Sequence, residues 1–88
     1  MKGRDKDFEY FSQFFKKLGE RLEEKRKQAG YNNAEYFAHE AGVSRSQYGK
    51  YESGTSDIRI SNLLKIAEEL EIPVDELLKG LHVIKKAP

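Results

Sequence analysis

The sequence predicts an all-α domain of five helices, and three observations carry that reading. Apolar residues recur every three or four positions rather than every second. Only two prolines occur, Pro73 and the terminal Pro88, and glycines fall at the breaks between periodic segments. Eighty-eight residues make about one domain on the usual prior of ~100–200 residues each. A chain of this size buries only about 60–68% of its unfolded surface, which leaves little room for a large catalytic cleft.

The first helix is expected from about Asp7 to Gln28. At about 100° per residue, Phe8, Phe11, Phe15, Leu18, Leu22 and Ala29 fall in one stripe with Arg26 on its edge. Gly30 closes the helix where a left-handed cap costs glycine least. Asn33 can cap a short second helix with apolar positions Phe37, Ala38 and Ala41, stopped by Gly42. Ser44 and Gln47 have capping-box spacing, and Val43 and Tyr48 can staple around it, so a third helix begins at Arg45. About three residues join the second and third helices, which forces a sharp crossing, and Ala38 is small enough to let the backbones approach. That is a helix-turn-helix pattern.

The third helix ends near Ser53-Gly54, and a polar loop, Thr55-Ser56-Asp57, follows. Ile60, Leu63, Leu64, Ala67 and Leu70 mark a fourth helix, with Arg59 or Ser61 as its N-cap. Pro73 suits the first position of a fifth helix, with Asp75 and Glu76 favourable in its first turn, Leu77 and Leu78 facing inward and Gly80 at its end. Leu81, Val83 and Ile84 form a short apolar tail.

The third helix has two sides. Tyr48 and Tyr51 define the buried one, which places Ser46, Gly49, Lys50 and Ser53 opposite, with Arg45 at the N-terminal shoulder. Arg and Lys carry donors suited to guanine O6 and N7, whereas Ser46 is an ambiguous reader and Gly49 permits close approach. Gln47 is assigned to the helix start by its capping position. The buried tyrosine hydroxyls need polar partners.

The order of a long helix, a short helix, the Gly42-Val43-Ser44 turn, a short helix, Glu52-x-Gly54, an amphipathic helix and a Pro-initiated helix resembles the Cro and phage-repressor type of helix-turn-helix regulators, the XRE-like, lambda-repressor-like family. The resemblance covers about Leu18 to Gly80. Its most specific stretch is Phe37-Ala38-His39-Glu40-Ala41-Gly42-Val43-Ser44, followed by Tyr48 and Tyr51-Glu52-Ser53-Gly54. It implies a compact five-helix domain that binds double-stranded DNA as a dimer, with the third helix in the major groove and Arg45, Ser46 and Lys50 touching base edges. It also implies a structural pair, Arg26 with Glu52, joining the first helix to the end of the third. The sequence departs from the family in having Ala34 where a phosphate-contacting Gln is usual, and Tyr48 and Tyr51 where Ile, Val or Leu is usual. The connection Gly30-Tyr31-Asn32-Asn33 is one residue longer than usual, and the Thr55-Ser56-Asp57 loop, often basic in relatives, has only Arg59 nearby.

On this reading residues 1–17 are an N-terminal extension continuing into helix one, residues 18–80 the DNA-binding domain and residues 81–88 a C-terminal tail. Phosphate contacts are expected from the backbone at Asn33, Ala34, Glu35, Gly54 and Thr55, and from the side chains of Lys27, Tyr31, Ser56 and Arg59. Phe8, Phe11 and Phe15 extend the apolar stripe beyond Leu18 and, with Leu81, Val83 and Ile84, are expected to form a homodimer surface, with a self-packed cap as the alternative.

Charge and composition bound the function. Sixteen Lys and Arg against fifteen Asp and Glu give a net charge of +1, which is not the strong basic balance typical of nucleic-acid binders. The distribution is uneven: Lys25, Arg26, Lys27, Arg45, Lys50 and Arg59 oppose Glu35, Glu40, Glu52 and Asp57 between residues 25 and 59. From residue 60 to residue 80 the acidic residues dominate. No run approaches the ~18 apolar residues of a membrane span, and Met1 to Asp7 lack the apolar stretch of a secretory signal. Without Cys there is no disulfide framework, and a cytoplasmic location is expected.

An enzyme is not expected. His39-Glu40 begins like a zinc-protease motif, but the required second His position is Val43. Gly54 to Ile58 lack the second glycine of a nucleophile elbow. No cofactor, metal or small-molecule ligand is expected. The expected function is sequence-specific DNA-binding transcriptional regulation. Ala34, the near-neutral charge and the aromatic extension keep open an alternative, a protein-interaction module of the same fold with little DNA affinity.

Overall fold

The computed structural model describes residues 8–83. Five helices follow in order: α1 Ser12–Gln28, α2 Ala34–Ala41, α3 Arg45–Ser53, α4 Ile60–Leu70 and α5 Val74–Leu78. Residues 8–10 are also helical, but Phe11 is a turn with φ −101° and ψ 13°, so the expected single helix from Asp7 is broken there. Ile84, expected in the dimer surface, lies outside the described residues.

Local capping explains most boundaries. Asn33 is extended and its side chain accepts from Tyr36 N at 2.8 Å; Ser44 Oγ accepts from Gln47 N at 3.2 Å. After α1, Gly30 N bonds to Lys27 O and Tyr31 N to Arg26 O, both at 3.0 Å, with Gly30 at φ 94°. These paired bonds satisfy carbonyls that the helix end would otherwise leave unmet, and Gly42 and Gly54 close α2 and α3 in the same way. Helix α4 closes so without a glycine: Glu71 takes φ 58°, a conformation costly for a residue with a Cβ. Arg59 is the N-cap of α4 and makes no side-chain cap, and Pro73 is the N-cap of α5 rather than its first residue.

The core joins Leu18 and Leu22 of α1, Phe37 and Ala38 of α2, Tyr48 and Tyr51 of α3, Leu63, Ile66, Ala67 and Leu70 of α4, and Leu77 of α5. Helix α1 packs most extensively on α3. Three stripe assignments are corrected by the packing. Ala29 is exposed because it caps α1 beyond the last core turn. Ile60 and Leu64 are exposed, while Ile66, absent from the expected stripe, is fully buried: α4 is rotated toward the side that faces α2 and α5.

The two core tyrosines find partners. Tyr48 donates its hydroxyl to Glu52 Oε2 at 2.6 Å, and Tyr51 Oη accepts from Asn62 Nδ2 at 2.7 Å. Each phenol thus replaces an aliphatic core residue without leaving a buried polar atom unmet.

Candidate nucleic-acid interface

Arg26 holds the interface scaffold together. Its Nε and Nη2 donate to Glu52 Oε2 and Oε1 at 2.7 and 3.2 Å, and Nη1 donates to Tyr31 O at 2.7 Å. The guanidinium is buried, and the bond to Glu52 raises its pKa, keeping it charged. Glu52 also takes the Tyr48 hydroxyl, so α1, α3 and the loop before α2 are tied at one point. Burial, followed by the bond to Glu52, pushes the Tyr48 phenol far above its ordinary range.

With Tyr48 and Tyr51 fixed inward, the opposite side of α3 is bare. Arg45, Ser46, Gly49, Lys50 and Ser53 are all exposed, and a Cβ built on Gly49 would meet no atom within 4 Å. Ser46 Oγ lies 3.3 Å from Ser44 Oγ, at the helix start. Gln47 is turned from this face, but its side chain does not serve the helix start as expected from its capping position; only its backbone N–H bonds to Ser44. Its amide Nε2 donates to Ser56 Oγ at 3.2 Å, which pins the loop after α3 instead of reaching outward.

The residues expected to meet phosphates differ in how free they are. With Asn33 capping Tyr36 N, the first-turn N–H groups of Ala34 and Glu35 have no acceptor one turn earlier in α2. Gly54 N and Thr55 N are used within the α3 cap, bonding to Tyr51 O and Lys50 O. Thr55 Oγ1 lies 2.9 Å from Ser53 Oγ. Tyr31 donates its hydroxyl to Glu69, and this bond raises its pKa to about 12. Lys27 pairs with Glu23 at 3.0 Å on the exposed face of α1. Arg59 is exposed.

Two residues that sequence reasoning passed over stand beside Arg45. Tyr36 is 56% exposed, and with His39, Asn33, Glu35 and Arg45 it lines an open cleft of about 480 Å³ between the starts of α2 and α3. Helical angles could have found them, since positions 36 and 39 lie opposite buried Phe37 and Ala38.

The aromatic extension is partly self-packed. Phe8 stacks on Phe15 with centroids 5.4 Å apart, and Phe11, Phe15 and Leu81 are half-buried. Val83 is exposed and, with Tyr10, Phe11, Phe14, Lys17 and His82, lines a second cleft of about 390 Å³. Among the described residues no helix is long and apolar enough to cross a membrane.

Comparison with known proteins matches residues 22–77 to the helix-turn-helix family model. The chain is 46% identical over 61 residues to the cryptic phage CTXphi transcriptional repressor RstR of Vibrio cholerae, covering 69% of this chain and 54% of that protein. It is 39% identical over 65 residues to an SPbeta prophage-derived uncharacterized HTH-type transcriptional regulator, YonR, of Bacillus subtilis, covering 74% and 59%. The chain thus spans little more than half the length of these curated relatives. Its fold is similar to the crystal structure of the restriction-modification controller protein C.AhdI from Aeromonas hydrophila, with a TM-score of 0.71, 34% identity, and coverage of 76% of this chain and 96% of that one.

Proposed function

The chain belongs to the helix-turn-helix family, and on that premise we propose that it is a sequence-specific DNA-binding transcriptional regulator. It acts in the cytoplasm as a homodimer on a two-fold-related operator, by occupying DNA and without chemistry. The observation that carries this reading is the bare face of α3. Arg45 and Lys50 stand exposed on either side of Gly49, opposite two tyrosines locked into the core. A face with no side chain at its centre and cations at its ends suits the floor of the major groove, which admits an α-helix.

In this proposal Arg45 and Lys50 read guanine edges, Ser46 makes a tolerant contact and Gly49 allows the backbone to approach. Ala34 and Glu35 N–H groups hold one phosphate and Arg59 another. The relatives support regulation of transcription by their names, as two phage-derived regulators and a controller protein. Phe8, Phe11, Phe15, Leu81 and Val83 supply the dimer surface. Two copies would present α3 twice, about 34–36 Å apart on the duplex, and so offset the weak net charge.

Fluorescence anisotropy against a randomised duplex pool across a salt series tests the reading. The regulator selects a two-fold-related site, with affinity falling steeply as salt rises. No binding at about 50 mM salt would instead mark an interaction module that keeps the shape alone. Sedimentation giving a monomer well above micromolar concentration would remove the dimer.

A further inference from the structure

The cleft between α2 and α3 contains an ionisable group for which the bare face of α3 has no use. We propose that His39 is a proton-linked contact to the backbone of the duplex, so that DNA binding tightens as pH falls toward 6; this rests on the DNA-binding reading above. His39 lies in the last turn of α2, exposed, and shares the cleft with Asn33, Glu35, Tyr36 and Arg45. In the proposed docking, a duplex with a base edge at Arg45 has its flanking backbone at the mouth of this cleft, which Arg45 and His39 share.

The charge balance makes the proton count. Within the lining, Arg45 from α3 and Glu35 from α2 cancel while the imidazole is neutral. Protonation leaves the lining at +1, facing a polyanion. Of the neighbouring elements, α2 adds Glu40 beside His39, exposed to solvent, and the Tyr36 phenol within the cleft. Helix α4 adds Lys65, whose Nζ lies 3.4 Å from the Gly42 carbonyl just past the end of α2. Helix α1 contributes nothing to the lining.

The chain has two histidines, and imidazole is the side chain that ordinarily changes charge between about pH 5 and pH 8. His82 lines the other cleft, with Tyr10, Phe11 and Val83. Single substitutions at the two histidines show whether a pH effect on binding comes from this cleft, from His82 or from neither.

The test measures anisotropy on the duplex that the wild-type protein recovers from a randomised pool, at about pH 6 and about pH 8. It compares wild type with His39→Gln, His39→Lys and His82→Gln, with thermal melts at both pH values to show that each variant is folded. Wild type and His82→Gln are expected to bind about three- to fivefold tighter per subunit at the lower pH, the range of one exposed ion pair. Their salt dependence should steepen there by about one phosphate per subunit. His39→Gln should lose this gain, and His39→Lys should bind at the higher pH as tightly as wild type does at the lower. Retention of the gain in His39→Gln, or its absence in a wild type that binds DNA, overturns the assignment. A wild type that recovers no duplex at either pH overturns the DNA-binding reading, and this inference with it.

Discussion

The carbonyl oxygen of Glu52 lies against Gly19: a Cβ built on the glycine would stand 2.4 Å from it, and 2.5 Å from the Tyr51 carbonyl oxygen. Helix α1 and the end of α3 therefore meet backbone to backbone, at the level where Glu52 also receives Arg26. The direction in which α3 presents its outer face is set by this contact, because neither helix can shift without separating the Arg26–Glu52 pair. Gly19→Ala forces the two backbones apart, an overpacking that costs about 1–3 kcal/mol. Urea unfolding checks it; an unchanged midpoint would mean that the helices slide freely.

Removing one member of the buried pair is a larger change. Arg26→Met leaves the Glu52 carboxylate, 13% exposed, with only the Tyr48 hydroxyl as its side-chain partner. The expected loss is about 3–5 kcal/mol. Glu52→Gln keeps the shape and an acceptor and is expected to lose less. Equal losses in thermal unfolding of the two variants would contradict this, since neutralising the carboxylate would then cost as much as removing its partner.

Gly49 separates stability from function. Its Cβ position is open, so Gly49→Ala should stabilise α3 by about 1 kcal/mol through helix propensity. If the bare face meets a duplex, the same variant should bind the selected site more weakly. Melting and anisotropy on one preparation give both numbers, and a variant gaining in both would place the duplex elsewhere.

The tyrosines give a pH dependence. The Tyr31 phenol is the form that donates to Glu69, so its contribution is complete below the ordinary tyrosine range near pH 10 and is lost as pH rises to about 12. Tyr48 ionises higher still. An ultraviolet tyrosinate titration should show a late-ionising class that shrinks by one residue in Tyr31→Phe; a single titration step near pH 10 would contradict this.

Helix boundaries were legible in the sequence wherever the signal is local. Asn33 and Ser44 cap, and Gly30, Gly42 and Gly54 take left-handed φ, because a cap depends on its own few residues. The face of α3 was legible because two large aromatics in nine residues leave one choice of inward side. What the sequence hid is long-range. Gly19 has no local sign of its close approach, and Asn62 as the partner of Tyr51 lies eleven residues away. The rotation of α4 that buries Ile66 and exposes Leu64 turns on packing against α2 and α5, since both residues fit an apolar stripe. Glu71 ends α4 in a conformation for which glycine is the usual sequence cue.

The central claim is that the bare side of α3 discriminates bases while Arg59 only grips the strand. Base preferences recovered from a randomised duplex pool by wild type, Arg45→Ala and Arg59→Ala test it most directly. Arg45→Ala is expected to relax preference at one base pair of each half-site, by about 1–3 kcal/mol of discrimination. Arg59→Ala should weaken every sequence about equally and reduce the salt slope by about one per subunit. An Arg45→Ala protein with the wild-type base preference, beside an Arg59→Ala protein with an altered one, would contradict the account.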